Sequence, residues 1–237
     1  RSGGAFQTLS ASKFLVSKGH EVTIITGNYP KAKRQENIGG VLYKRVGCGR
    51  NYLLSRVTYS NCTPRLIRSM DYDILVNDFS AFSPTFSPLY TKRPVVAVIR
   101  NFFGKHAFKK YKIIGLAAFG IERVGLRLYR NFHAVSKSIE VQLRKIVANG
   151  TVRYIPNCVD ESLFLIENSE ENYILFIGRI DIYQKGLDVL LKAFSLIMAS
   201  GIKLVIAGGG KDIGSLKRMI FNLGLSDRVI LKGYVHG

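Results

Sequence analysis

Short apolar runs separated by amphipathic stretches recur from one end of this chain to the other, and no other feature constrains its fold as much. Strand-length apolar segments alternating with helix-period segments belong to α/β proteins with a mostly parallel sheet. Residues 21–26 (EVTIIT) read as a strand. Residues 4–18 before them read as a helix, with Ala5, Leu9, Ser12 and Val16 spaced for one small, close-packing face. Gly19 suits the left-handed cap of that helix. Residues 73–77 and 94–99 read as buried strands, with Pro94 at a first position where no ladder donor is needed. Residues 131–135 form the next strand. Ser136 then reads as the N-cap of a helix over 137–149, with Ile139, Leu143, Ile146 and Val147 on one face and Gly150 as its stop. A strand over 152–155 ends at Pro156.

Residues 160–172 are polar and acidic without clear periodicity, so the domain boundary is expected there, giving domains 1–160 and 161–237. The second domain repeats the alternation. It holds a strand over 173–177, a helix over 186–200 with Leu187, Leu190, Leu191, Phe194 and Ile197 on one face, a strand over 203–207, a helix over 212–222 and a strand over 228–231. A three-stranded parallel sheet ordinarily continues, so the second domain is expected to be truncated.

Charge separates the two domains. The net charge is +19, and residues 1–78 carry 12 basic and 5 acidic side chains, residues 79–159 carry 14 and 2, and residues 160–237 carry 9 and 9. The front of the chain should therefore attract an anionic partner, whereas the back is neutral. Hydrophobic residues make up 47% of the chain, which excludes a disordered protein, and no apolar run approaches the roughly 18 residues of a membrane span. Cys48, Cys62 and Cys158 are far apart and read as free thiols of a reducing compartment.

Five segments are candidates to carry chemistry. Arg179 follows the strand over 173–177 and Lys185 stands at the start of the next helix, inside Gly178-Arg179 … Lys185-Gly186. Cations at the carboxyl edge of a parallel sheet, beside a helix N-terminus, make a diphosphate site; two exposed cations on an ordinary loop are the plain alternative. Gly3-Gly4 at the head of the first helix would let an anion approach the backbone, or would simply be a turn. Gly208-Gly209-Gly210-Lys211-Asp212 is neither a Walker A loop, because position 205 is Val and Asp212 follows the Lys, nor G-x-G-x-x-G, because position 213 is Ile. It reads as a tight turn lining the same edge as Arg179. Asp71-Tyr72-Asp73 matches a metal-nucleotide D-x-D pattern but precedes its strand, at the wrong end of the sheet, and no metal site is expected. Between Arg100 and Arg130, cations interleave with aromatics, including Phe102, Phe103, Lys105, Phe108, Lys109, Lys110, Tyr111, Lys112, Arg123, Arg127 and Tyr129. That run fits an anionic membrane surface, a nucleic-acid patch, or a solvated helical face with its aromatics in the core.

In order along the chain, five segments resemble the retaining GT-B glycosyltransferases of family 4, the group 1 glycosyl transferases. They are Gly3-Gly4 with its helix and residues 18–23 (KGHEVT), residues 132–138 (FHAVSKS), residues 155–160 (IPNCVD), residues 177–191 with Gly178-Arg179 … Lys185-Gly186, and residues 205–210 (VIAGGG). The resemblance implies two Rossmann-like parallel-sheet domains, the first holding the acceptor and the second the donor. It implies that Arg179 and Lys185 hold the donor diphosphate, that Gly3 and Gly4 approach it, that Gly178, Gly208 and Gly209 form the donor-site loop, and that sugar moves with retention and without a metal or other cofactor. The partners implied are a nucleotide-sugar and a saccharide or lipid-linked acceptor, in the cytoplasm or on its membrane face. The family's first strand would precede Arg1 and its acidic E-x7-E segment would follow Gly237, so this chain alone is expected not to turn over. Where the family often carries a catalytic His, Arg100 stands, and Cys158 occupies a usual Gly position; no catalytic residue is assigned. The rival readings are a nucleic-acid-binding protein, for which no helix-turn-helix, zinc-finger or RNP1 pattern appears, and a GT-B protein without catalysis.

Overall fold

The computed structural model describes residues 3–81, 84–102, 105–159, 161–165, 171–197 and 201–235, without the side chains of residues 52, 53, 105–114 and 162. The chain divides into two compact units, Arg1–Asp160 and Glu161–Gly237.

Unit 1 opens with helix α1 (Gly3–Ser17), followed by strands β1 (Thr23–Gly27), β2 (Gln35–Ile38) and β3 (Val41–Val46). These strands form a sheet of order β1-β3-β2, with β1 parallel and β2 antiparallel to β3. The β2–β3 hairpin departs from the strand–helix alternation. Its polar first strand hid it in the sequence, although Gly39-Gly40, both at positive φ, is a favoured two-residue connection. The expected small face of α1 is only partly used. Ser12 is buried and Val16 lies against Gly40, but Ala5 is exposed. Arg45 is 6% exposed, ion-paired to Glu36 at 2.8 Å and set over the rings of Tyr29 and Tyr43. This pairing lets the guanidinium sit in the hairpin.

Helix α2 (Tyr52–Ser69) comes next, its first turn capped by Asn51, whose Oδ1 accepts from Leu54 N at 2.8 Å. Pro64 inside it and a weak apolar period hid this helix in the sequence. A four-stranded parallel sheet follows: β4 (Leu75–Asp78), β5 (Val95–Ile99), helix α3 (Lys105–Leu126), β6 (Asn131–Ala134), helix α4 (Lys137–Ile146) and β7 (Thr151–Tyr154), in the order β4-β5-β6-β7. Val95, Ala97, Ile99, Phe132, Ala134 and Val152 from these strands pack with Leu126, Ile139 and Leu143 of the helices. Ser136 caps α4, accepting from Ile139 N at 3.2 Å. Gly150 does not stop that helix, which already ends at Ile146 with Val147 extended. A side chain at position 150 would instead overlap the Phe132 ring.

Beneath the β4 end lies a buried polar knot. Asn77 donates to Tyr129 Oη at 2.6 Å and to the Pro84 carbonyl at 3.1 Å, and Tyr129 donates to the Thr85 carbonyl at 3.0 Å. Burial pushes the Tyr129 phenol up to about 12. The basic, aromatic run from Arg100 is thus partly taken inward. Tyr129 is core, Phe102 packs on the core, and Arg123 stacks over Phe119. Phe103 and the side chains of Lys105, Phe108, Lys109, Lys110, Tyr111 and Lys112 lie outside the described residues.

Unit 2 contains β8 (Tyr173–Ile177), helices α5 (Ile182–Lys185) and α6 (Leu187–Ser195), β9 (Lys203–Ala207), helix α7 (Ile213–Asn222) and β10 (Val229–Gly233). The strands are parallel in the order β10-β9-β8. Leu187, Leu191 and Phe194 of α6 and Leu216 and Ile220 of α7 pack on Leu204 and Ile206 of β9. The helix expected over 186–200 is α6, which ends at Ser195, and a further short helix, α5, precedes it across Gly186. No helix among the described residues is long and apolar enough to cross a membrane.

Candidate functional site

In unit 2 the parallel ladder continues past the strands into two loops. Gly178 N donates to the Ala207 carbonyl at 3.0 Å, Ile180 N to the Gly209 carbonyl at 3.0 Å, and Gly208 N to the Gly233 carbonyl at 2.6 Å. The loops lie so close that a Cβ at Gly208 would overlap the Gly178 carbonyl, and one at Gly210 would overlap that of Ile180. Gly208 also has φ +140°, a conformation that only glycine adopts without strain. The glycine run therefore seats the loop that bears Arg179. Tyr234 lies across Gly209 on the other side.

Arg179 leaves this seat at the carboxyl end of β8 with its side chain exposed, and its Nη2 donates to Gln184 Oε1. Lys185 is exposed six residues on. It is the last residue of α5 and directly precedes Gly186, which at φ +63° closes α5 and caps α6, the helix expected there. A four-residue helix between the two cations was not visible as periodicity. Its start is held by two carboxylates. Asp181, 7% exposed, accepts from Gln184 N at 3.1 Å, and Asp212 Oδ2 accepts from Ile182 N at 3.0 Å. Asp181 and Gln184 were not singled out in the sequence, and Asp212 was read only as part of the glycine-rich turn. An N-capping Asp three residues before a backbone amide was the legible signal for the first, and none existed for the contact of Asp212 across 30 residues.

In unit 1, the carboxyl ends of β4 and β5 meet the first turn of α1. Arg100 gathers them: Nε lies 2.9 Å from Asp78 Oδ1, Nη2 donates to Thr8 Oγ1 at 3.2 Å, and Nη1 reaches Asn157 Oδ1 at 3.5 Å. Gly3 and Gly4 are the first two residues of α1 itself, not a loop before it. Gly4 abuts the Arg100 side chain, whereas none of the described residues lies within 4 Å of where a Gly3 Cβ would be. Gln7 donates to the Cys158 carbonyl at 2.8 Å, so the segment after β7 is tied to α1 as well. His133 of β6 donates through Nε2 to the Ile155 carbonyl at 2.8 Å.

Asp71 lies at the amino end of β4, ion-paired to Arg93 at 3.1 Å, away from these strand ends. The two residues line a groove of about 300 Å³ there with Arg68 and Tyr90. No group of three or more His, Cys, Asp or Glu that could hold a metal occurs among the described residues.

Two units built mainly on parallel strands, with cations set at carboxyl strand ends, define the Rossmann-like α/β class. The match of residues 1–163 to Glycosyltransferase Family 4, continued over residues 163–237 by Glycosyl transferases group 1, shows that the chain belongs to Glycosyltransferase Family 4. An uncharacterized glycosyltransferase of Methanocaldococcus jannaschii is 39% identical over 69 residues, 29% of this chain and 17% of that protein. A glycosyltransferase of Rickettsia africae aligns with TM-score 0.62 at 17% identity, covering 99% of this chain and 65% of its own. WaaG, a glycosyltransferase involved in lipopolysaccharide biosynthesis, aligns with TM-score 0.65 at 12% identity, covering 99% and 67%. Anabaena HepE in complex with UDP-glucose aligns with TM-score 0.58 at 15% identity, covering 84% and 57%. These likenesses show the two-domain GT-B fold. The chain spans about 17% of the length of the curated relative it matches.

Proposed function

We propose that this protein is a glycosyltransferase that binds a nucleoside-diphosphate sugar in unit 2, with Arg179 and Lys185 on the diphosphate, and transfers the sugar to a saccharide or lipid-linked acceptor held by unit 1. The observation that carries the reading is the rigidly seated Arg179 loop, which presents an exposed guanidinium and an exposed ammonium one short helix apart at a strand's carboxyl end. Gly178, Gly208 and Gly209 serve the donor by holding that loop. Gly3 and Gly4 offer main-chain N–H groups at the start of α1, where a helix favours an anion.

In the reaction, the bond from the sugar C1 to the diphosphate oxygen breaks and its electron pair leaves with the nucleoside diphosphate. The acceptor hydroxyl oxygen bonds C1 and its proton passes to solvent. The two cations meet the charge that grows on the leaving diphosphate, where such pairing is worth most, so neither a metal nor another cofactor is invoked, and the anomeric configuration is retained. The fold is shared with a protein crystallised with UDP-glucose, which supports UDP as a first probe. The basic unit 1 suits an anionic acceptor or a membrane face of the cytoplasm, and nucleic acid is not its partner. Amide chemical shifts recorded during a UDP titration test the donor assignment. Changes should concentrate at residues 178–186, and a titration that moves none of them contradicts it.

A further inference from the structure

Asp212 stands at the N-cap position of α7, yet its side chain caps nothing in its own helix. Its Oδ2 instead accepts from the backbone N–H of Ile182, the first residue of α5, at 3.0 Å. An aspartate at that position ordinarily satisfies the free amides of the helix it precedes, so the diversion costs α7 a cap and gives α5 one. The anchor matters because α5 is only four residues long and joins Arg179 to Lys185. A single turn does not hold itself in water. Asp181 secures Gln184 N and Asp212 secures Ile182 N, so the turn has two carboxylate anchors, one from each side of the glycine seat.

We propose that Asp212 is a positioning residue for the donor diphosphate: through the Ile182 amide it fixes α5, and with it the spacing of Arg179 and Lys185. The proposal rests on the donor-site reading of those two cations. Its chemistry separates the hydrogen bond from the charge. An asparagine keeps an oxygen acceptor for Ile182 N and removes a negative charge close to a site built for an anion. The Lys211 ammonium, 3.9 Å from Asp212 Oδ1 and 65% exposed, screens that charge only in part. The hydrogen bond therefore aids the donor while the charge opposes it.

The test uses the whole chain with Asp212→Ala, Asp212→Asn and Arg179→Ala, read by amide hydrogen exchange and by calorimetric titration with UDP. Asp212→Ala should speed exchange at Ile182 and weaken UDP binding about tenfold. Asp212→Asn should restore the protection of Ile182 and bind UDP at least as tightly as the natural protein. Arg179→Ala should weaken UDP binding while leaving the Ile182 amide protected. Unchanged exchange at Ile182 in Asp212→Ala, or an Asp212→Asn protein as weak as Asp212→Ala, overturns the positioning role. Faster exchange with undiminished UDP affinity, in a background where Arg179→Ala is weakened, also overturns it alone. Undiminished affinity in Arg179→Ala overturns the donor-site reading beneath it.

Discussion

The amide of Ile180 donates to the carbonyl of Gly209 at 3.0 Å, one residue beyond Arg179, and so extends the β8–β9 ladder into the loop that carries the cation. A guanidinium on a mobile loop would lose much of its binding energy to ordering. Here the backbone on its C-terminal side is already fixed, and that on its N-terminal side is fixed by Gly178 N on the Ala207 carbonyl.

The fit of the two loops makes Gly208 sensitive to any side chain. Gly208→Ala places a Cβ against the Gly178 carbonyl in a backbone conformation that alanine avoids. We expect a loss of about 2 kcal/mol or more in the stability of unit 2, measured by urea denaturation. A substitution within a few tenths of the natural protein would mean that the loops yield easily.

Arg100 is expected to act as a clasp. Arg100→Ala should lower the stability of unit 1 by about 1 kcal/mol, a figure discounted because Asp78 is half-exposed. It should also loosen the first turn of α1, which hydrogen exchange near Thr8 would register. Arg100→Lys should not restore that protection, because one ammonium cannot repeat three directed contacts. Full rescue by lysine would show that charge alone is at work.

Tyr129 should make unit 1 alkali-sensitive. Its pKa is raised from 10.0 in the unfolded chain to about 12 in the folded one. The folded state therefore keeps a proton that the unfolded state loses. Its stabilisation is complete below pH 10 and falls as pH rises toward 12, by about 2 kcal/mol over that span. Tyr129→Phe should flatten this slope and cost about 1–3 kcal/mol at neutral pH, since the Thr85 carbonyl loses its donor. Denaturation followed from pH 8 to 11.5 reads both, and identical pH slopes in the two proteins would refute the account.

The elements with strong periods were legible from residues alone. Tyr173–Ile177 and Lys203–Ala207 are strands over the expected spans, and Leu187, Leu191 and Phe194 bury the expected stripe. What escaped had a weak local signal or a masked one. Gln35-Glu36-Asn37 is too polar to read as a strand, and α2 runs through Pro64. At the site, Arg179 and the glycine run stood out by type and spacing, but their relationship did not, because backbone contacts between residues 178–180 and 207–210 are not written in side chains. The short helix that ends at Lys185 was missed, since four residues are too few to carry a period. Arg100 stood out as an exchange for another residue type, while its partners Thr8 and Asn157, 92 and 57 residues away, could only be found in three dimensions.

The basic balance of unit 1 predicts contact with anionic surfaces. The chain should float with vesicles containing an anionic lipid at low salt and release as salt screens the attraction. Equal absence of flotation with neutral and anionic vesicles would remove the membrane from the account.

The assignment of Arg179 and Lys185 to a donor diphosphate is tested by calorimetric titration of UDP into the natural protein, Arg179→Ala and Lys185→Ala. UDP binding should weaken about tenfold with each substitution, each removing one charge-assisted contact. UDP affinity unchanged in both would contradict it.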